Sequence, residues 1–274
     1  MKILNFRNTS TLFLLLLSFF TISRIFFCPC SHCIITVLCQ APWLFYLCLV
    51  SVYLGISVTM AFFPSSGFHY REVFSHGTGN EKALCLTFDD GIDPKLTPGI
   101  LDVLGIYGVK ATFFIIGRNI RGNEAILRRI SDEGHTIGNH SWSHSYFWDF
   151  FSSGRMTKEL EQTGMEIEKH TGKQVKLFRP PYGVINPMVA QAIRNTGLRV
   201  VAWSYRSFDT TTSDPGKLLQ KTITEAKPGD IMLFHDTSAL TAGILEKIIV
   251  SLQERGFYFI SPDEMLKIQT YENN

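Results

Sequence analysis

The 274-residue sequence predicts an α/β fold, a barrel of alternating strands and helices preceded by one or two transmembrane helices. Three observations carry this. Beyond residue 82, short apolar runs alternate with stretches of helical periodicity about seven times. Five polar islands sit at or just beyond apolar runs, where barrel strands deliver side chains into a site. Before residue 64 the chain is almost continuously apolar, and Arg24 is the only Asp, Glu, Lys or Arg between residues 11 and 63.

The elements follow in order. Residues 83–88 form an apolar run with turn chemistry after it, which reads as a strand. Leu96, Ile100, Leu101, Leu104 and Tyr107 have helical spacing and predict a helix over 94–107. Strands are expected at 110–116 and 135–139, with a helix over 123–133 between them that stops at Gly134. A helix over 157–170 closes at Gly172, and a strand over 175–178 follows. Further helices are expected at 187–195, 215–226 and 241–254, alternating with strands at 198–203, 230–234 and 257–260. A doubly wound sheet shares this alternation, and the number of repeats favours the barrel.

The domain organisation reads as a membrane anchor over 1–63, a linker over 64–81, a catalytic domain over 82–266 and a C-terminal tail over 267–274. A membrane span needs roughly 20 apolar residues. Residues 43–63 meet that length without a charge, and residues 11–27 are marginal. The anchor is therefore read as two spans joined by a turn around 28–42. The competing reading is a signal peptide, since Lys2 and Arg7 precede an apolar run, but no small-x-small cleavage site precedes Arg24. A two-span hairpin with a cytoplasmic start returns the domain to the cytoplasm, whereas one span places it outside. The expected location is the bacterial cytoplasmic membrane, with membrane lipid as a partner. Cys28, Cys30, Cys33 and His32 read as small residues of the membrane turn rather than a metal site. The net charge of +2 and the lack of a basic stripe exclude a nucleic-acid partner. No oligomeric state is set by the sequence.

The islands carry the chemistry. Thr87-Phe88-Asp89-Asp90-Gly91 ends a strand with adjacent carboxylates, and the turn at Gly91 lets both reach one site. Like charges so close suit different tasks, one binding a metal and the other accepting a proton. His140 and His144 lie four residues apart, which puts both imidazoles on one face of a helical turn. With one Asp they form a three-ligand set of the open, catalytic kind. Arg179 precedes two prolines, so its backbone is stiff and its guanidinium can aim a carboxylate. The Tyr182-Gly183 turn can present a backbone N–H to a substrate oxygen. His235 is the candidate general acid, with a reference pKa near 6.5, and Asp209 can fix its tautomer. Asp236 reads as structural. This inventory suits a metal-assisted hydrolase.

Together these motifs resemble the polysaccharide deacetylase family, carbohydrate esterase family four, over residues 82–260. The resemblance implies a distorted (β/α) barrel, a divalent metal and removal of N- or O-acetyl groups from a sugar. Zinc is the foremost metal, with cobalt, nickel, manganese or iron as alternatives. It further implies Asp89 as base, Arg179 as its orienting partner, and Asp90, His140 and His144 as metal ligands. Tyr182 would meet the oxyanion, Leu233 would line the acetyl pocket, and His235, supported by Asp209, would protonate the leaving amine. The sequence departs from the pattern at Arg206, commonly Asp, and at Thr210, commonly Trp. Arg206 adds a cation that favours an anionic or phosphate-linked glycan. The expected activity is deacetylation of an envelope glycan, such as peptidoglycan or an N-acetylglucosamine polymer. The alternatives are deformylation or deacetylation of a lipid-linked sugar at the membrane, and a non-catalytic glycan-binding membrane protein.

Overall fold

A computed structural model describes residues 5–27, 42–77 and 81–272. The expected turn around 28–42, with Cys28, Cys30, Cys33 and His32, lies outside the described residues apart from its last position, Pro42. Two helices open the chain, α1 (Phe6–Phe27) and α2 (Pro42–Ala61). They form an antiparallel hairpin in which Phe13 stacks on Tyr53 and Phe20 on Phe45. The Ser10 and Tyr53 hydroxyls hydrogen-bond at 2.9 Å, and those of Thr21 and Tyr46 at 3.1 Å. Its outer face carries exposed Leu, Val and Phe side chains. Among the described residues one helix, Trp43–Ala61, is long and apolar enough to cross a membrane. At 20 residues α2 extends about 30 Å.

The rest of the chain builds a curled sheet flanked by helices. Its strands are β1 (Val73–Phe74), β2 (Ala83–Asp89), β3 (Thr112–Ile115), β4 (Thr136–Asn139), β5 (Leu177–Phe178), β6 (Arg199–Val201), β7 (Tyr205–Arg206), β8 (Ile231–His235) and β9 (Tyr258–Phe259). Their order is β1-β6-β5-β4-β3-β2-β8-β7, with β9 added to β2, and every ladder between named strands is parallel. The expected barrel is thus left open. Among the described residues the edge strands β1 and β7 do not pair, and an isolated bridge, His76↔Asp230, links the two ends. The sequence reading also missed the two-residue edge strands β1 and β7.

Helices α3 (Thr97–Ile106), α4 (Glu124–Asp132), α5 (Ser153–Thr171), α6 (Pro187–Thr196), α7 (Pro215–Glu225) and α8 (Ala239–Glu254) follow β2, β3, β4, β5, β7 and β8, and α9 (Pro262–Leu266) follows β9. Helix α5 starts four residues before its expected position because the Ser152 hydroxyl caps it, accepting from the Arg155 N–H. Ile244, Leu245, Ile248, Ile249 and Leu252 recur at helical spacing on α8 and are buried. Each such side chain contributes roughly 1.5–3 kcal/mol relative to exposure. All seven residues of β2 are buried, as expected of a central parallel strand covered on both faces. The final residues run beside 174–176, where Tyr271 bridges Val175 and the Glu272 N–H donates to the Gln174 carbonyl at 3.0 Å.

The consequence for the site is geometric. Because neighbouring strands are parallel, their C-terminal ends lie along one edge. Asp89 pairs in register with His235 of β8 and Phe114 of β3, and Asn139 pairs with Ile115 and Phe178. Under this row Gly138 sits against Phe114, and a Cβ there would lie 2.4 Å from the Phe114 ring. Gly138→Ala is expected to lower stability by about 1–3 kcal/mol through overpacking, read from the denaturant midpoint. An unchanged midpoint would refute this packing.

Candidate active site

The first polar group is the end of β2. Asp89 is 4 % exposed and accepts a charge-assisted hydrogen bond from Arg179 Nη1 at 2.7 Å. Arg179 is fully buried and spends its other donors on Thr87 Oγ1 at 2.7 Å and the carbonyls of Val201 and Ala202, both at 2.9 Å. Its guanidinium lies 4.1 Å from the Phe114 ring centre. Thr87 in turn donates to the Met232 carbonyl, so the one hydroxyl of this buried strand is satisfied.

Asp90 leaves the strand differently from the expectation. The turn is made by Asp90 itself, at φ 72°, in the left-handed region that Asp tolerates. Gly91 is required for another reason, since a Cβ there would lie 2.2 Å from an oxygen of Asp236. Asp236, read as structural, accepts from the Thr97 hydroxyl at 2.6 Å, and burial pushes its carboxyl up to about 7.

Asp90 Oδ1 lies 3.4 Å from His140 Nε2 and 3.3 Å from His144 Nε2. The two histidines do not share a helical turn. They sit in the loop after β4, where Ser141 (φ 65°) and His144 (φ 43°) both adopt left-handed backbone. The loop is held by the Ser141 N–H donating to Asn139 Oδ1 at 2.9 Å and the His144 N–H donating to Ser141 Oγ at 3.0 Å. Asn139 and Ser141 are positioning residues that the sequence reading passed over; the Asn that immediately precedes the His pair is the signal that was available.

One ligand atom from each of Asp90, His140 and His144 falls within 4.8 Å of the others, so the three could hold a metal ion. Two further observations fit a cation. Asp90 Oδ1 is buried without a hydrogen-bond partner, and the His140 Nδ1 hydrogen bond to the Arg179 carbonyl at 2.7 Å leaves Nε2 toward the site. Burial opposes the charge of Asp90, but His140, His144 and His235 outweigh it and hold the carboxyl well below the usual range. Burial, and then His140, pull His144 down to about 4. A neutral imidazole is the ligating form.

The opposite flank belongs to His235. Its Nδ1 and backbone N–H meet Asp209 Oδ1 and Oδ2 at 2.7 and 2.8 Å. Ser207 and Thr241 hydroxyls add bonds to Asp209 at 2.9 and 2.6 Å, two partners the sequence reading did not find. Burial lowers the His235 pKa, yet the Asp209 bond and the nearby carboxylates more than offset it and raise the value overall. Its Nε2 lies 3.9 Å from Asp90 Oδ2.

A cavity of about 250 Å³ opens over these groups, with Tyr182, Trp203, Arg206 and Leu233 in its walls. Tyr182 (φ 57°) is half-exposed beside His144, their ring centres 4.7 Å apart. Arg206 stacks over Phe208 at 4.8 Å and Trp203 at 5.9 Å. All ten residues expected at the site therefore lie in the cavity wall or directly behind it.

Residues 76–201 match the family profile described as polysaccharide deacetylase. A peptidoglycan-N-acetylglucosamine deacetylase of Bacillus cereus is 36% identical over 196 residues, 69% of this chain and 90% of that protein. The peptidoglycan-N-acetylmuramic acid deacetylase PdaA of Bacillus subtilis is 35% identical over 199 residues, 71% of this chain and 75% of its own. Among solved structures, the Bc1960 peptidoglycan N-acetylglucosamine deacetylase superposes with a TM-score of 0.69 at 29% identity, covering 73% of this chain and 95% of that one.

Arg179 is the nearest cationic partner of the buried Asp89 carboxylate, at 2.7 Å, with His140 Nε2 next at 3.9 Å. Arg179→Met is expected to cost about 3–5 kcal/mol by leaving Asp89 uncompensated, measured by chemical denaturation. The Asp89→Asn/Arg179→Met double variant should recover part of that loss. A single variant as stable as the parent would show that the pair carries no such weight.

Proposed function

The chain belongs to the polysaccharide deacetylase family and is a glycan-deacetylating hydrolase; we propose that its substrate is an N-acetylated glycan of the bacterial cell envelope, with peptidoglycan foremost. The observation that carries the reading is the pair of aimed groups flanking Asp90: Asp89 fixed by Arg179 on one side, His235 fixed by Asp209 on the other. An aimed acid and an aimed base in the wall of one small cavity are what amide hydrolysis needs.

In this reading Asp90, His140 and His144 would hold a divalent metal, with zinc favoured by the two-imidazole, one-carboxylate donor set. Bound there, such an ion supplies Lewis-acid polarisation of the acetyl carbonyl. Asp89 takes the proton of the attacking water, with Arg179 holding the carboxylate in orientation. His235 delivers a proton to the amide nitrogen as the C–N bond breaks, giving acetate and a free sugar amine. Asp209 holds the imidazole in the tautomer that presents Nε2 to the cavity, and stabilises the imidazolium. The Tyr182 backbone N–H would donate to the oxyanion. Leu233 would contact the acetyl methyl, a contact worth on the order of 1 kcal/mol.

Acetate release from N-acetylglucosamine oligomers and cell-wall fragments by the full chain in detergent tests this. Release that needs added zinc, stops with a chelator, and falls roughly 10²–10⁴-fold in Asp89→Asn is the expected result. Release indifferent to both treatments would overturn it.

Arg206 sets preference within that class. Stacked on Trp203 and Phe208, it presents a fixed cation to the cavity and would pair with a carboxylate or phosphate on the sugar. Arg206→Ala should reduce kcat/KM on muramic-acid-containing fragments roughly tenfold, mainly through KM, and leave neutral oligomers nearly unchanged. Equal losses on both would remove the selectivity argument.

A second reading, a lipid-linked sugar as substrate, is favoured by the apolar helix Trp43–Ala61. In either case the N-terminal helices would anchor the enzyme to the membrane, with bilayer lipid as its partner.

A further inference from the structure

Where the helical hairpin meets the catalytic domain lies another cavity, of about 280 Å³, which shares no lining residue with the candidate active site. Antiparallel packing brings the start of α1 and the end of α2 to this junction. The Phe6 N–H donates to the Phe68 carbonyl at 2.8 Å, the Ile185 N–H to the Ala61 carbonyl at 2.9 Å, and His69 Nε2 to the Ser57 carbonyl at 2.9 Å. The open cavity is lined by three exposed arginines, Arg7 of α1, Arg71 of the following segment and Arg194 of α6, with Asn5, Phe68 and His69 between them. No carboxylate lines it, and none of the three arginines forms an ion pair among the described residues. Three like charges gathered from separate parts of the chain repel one another, an arrangement that a bound anion relieves.

An independent feature points the same way. Asn5 is 4 % exposed, and its Oδ1 caps α1 by accepting from the Asn8 N–H at 3.0 Å. Its Nδ2, on the other side of the amide, is buried with no hydrogen-bond partner. A buried donor left unmade is unfavourable, and this one belongs to a residue that lines the basic cavity.

We propose that this junction is a phosphate-binding site, and that its occupant is the phosphate of an anionic lipid headgroup. The fork of each guanidinium matches phosphate oxygens, and Asn5 Nδ2 supplies a further donor. The lipid source follows from position. The hairpin's exposed apolar face begins immediately beyond the cavity, with Leu12 on α1 and Val58 on α2, so a hairpin in a bilayer sets the arginines at headgroup depth. The site would lock the catalytic domain's orientation against the membrane surface.

Native mass spectrometry of the full chain in maltoside micelles, titrated separately with dioleoylphosphatidylglycerol, dioleoylphosphatidylcholine and inorganic phosphate, tests this. The expected result is one saturable phosphatidylglycerol per chain, with phosphatidylcholine weaker. Arg7→Gln, Arg71→Gln and Arg194→Gln should each weaken it about tenfold, whereas the exposed α8 variant Lys247→Gln should not. Asn5→Asp keeps the oxygen that caps α1 and replaces the buried donor with a charged acceptor, so it should lose binding while remaining folded. Inorganic phosphate bound as tightly as the lipid would overturn the lipid assignment. No saturable binding of either probe, or arginine variants that bind like the parent, would overturn the site.

Discussion

The buried guanidinium of Arg179 is the constraint on which the site depends. A fully buried cation is tolerable only when its donors are met and a counter-charge is in contact. Here the donors reach β2 through Thr87 and Asp89, and the end of β6 through Val201 and Ala202. The same residue's backbone joins the loop that carries the histidines, since its N–H donates to the Asn139 carbonyl and its carbonyl meets His140 Nδ1. Two prolines follow and stiffen the exit. One residue thus ties together the segments bearing the candidate base and the candidate ligands, and does so from behind, leaving the cavity face open.

Around this support, chemically similar groups are driven to different states. Asp89 and Asp90 are adjacent, yet only Asp89 has a guanidinium partner, while Asp90 faces three imidazoles. His144 is held near a pKa of about 4 and His235 is raised. The His235–Asp209 pair also couples to folding. Raised histidine stability is fully present below the ordinary imidazole pKa and fades as pH rises through the folded value. Burial works against Asp209, but bonds from His235 and Thr241 hold its carboxyl low, so its contribution is present above the ordinary carboxylate range and fades as acid reaches its folded value. The pair is therefore strongest in the mildly acidic interval between those limits.

The N-terminal hairpin is joined to the domain by backbone hydrogen bonds and by packing of Phe6 on Phe68 and His69, rather than by a long tether. The segment read as a linker contributes to this junction and also supplies β1 to the sheet edge. The hairpin, the intervening segment and the sheet that carries the cavity are consequently joined by direct contacts.

What the sequence determined by itself was whatever local pattern encodes. Apolar runs, helical spacing and stop signals placed the principal strands and helices, and the polar islands held most of the side chains that line the cavity. Its errors lie where contacts distant in sequence decide. Barrel closure depends on whether β1 and β7 meet, a contact between segments about 130 positions apart that no local pattern encodes. The His140–His144 spacing is a local exception: it allowed a helical turn, but Asn139 Oδ1 and Ser141 Oγ accept from the Ser141 and His144 N–H groups in a loop with left-handed residues. Gly91 looked like the turn residue, whereas Asp90 bends and Gly91 makes room for Asp236, 145 positions away. The partners of Asp209 and the three arginines of the junction are invisible in one dimension for the same reason. Hydrogen bonds and charge clusters between remote segments exist only after the chain has packed, so the tertiary structure alone decided them.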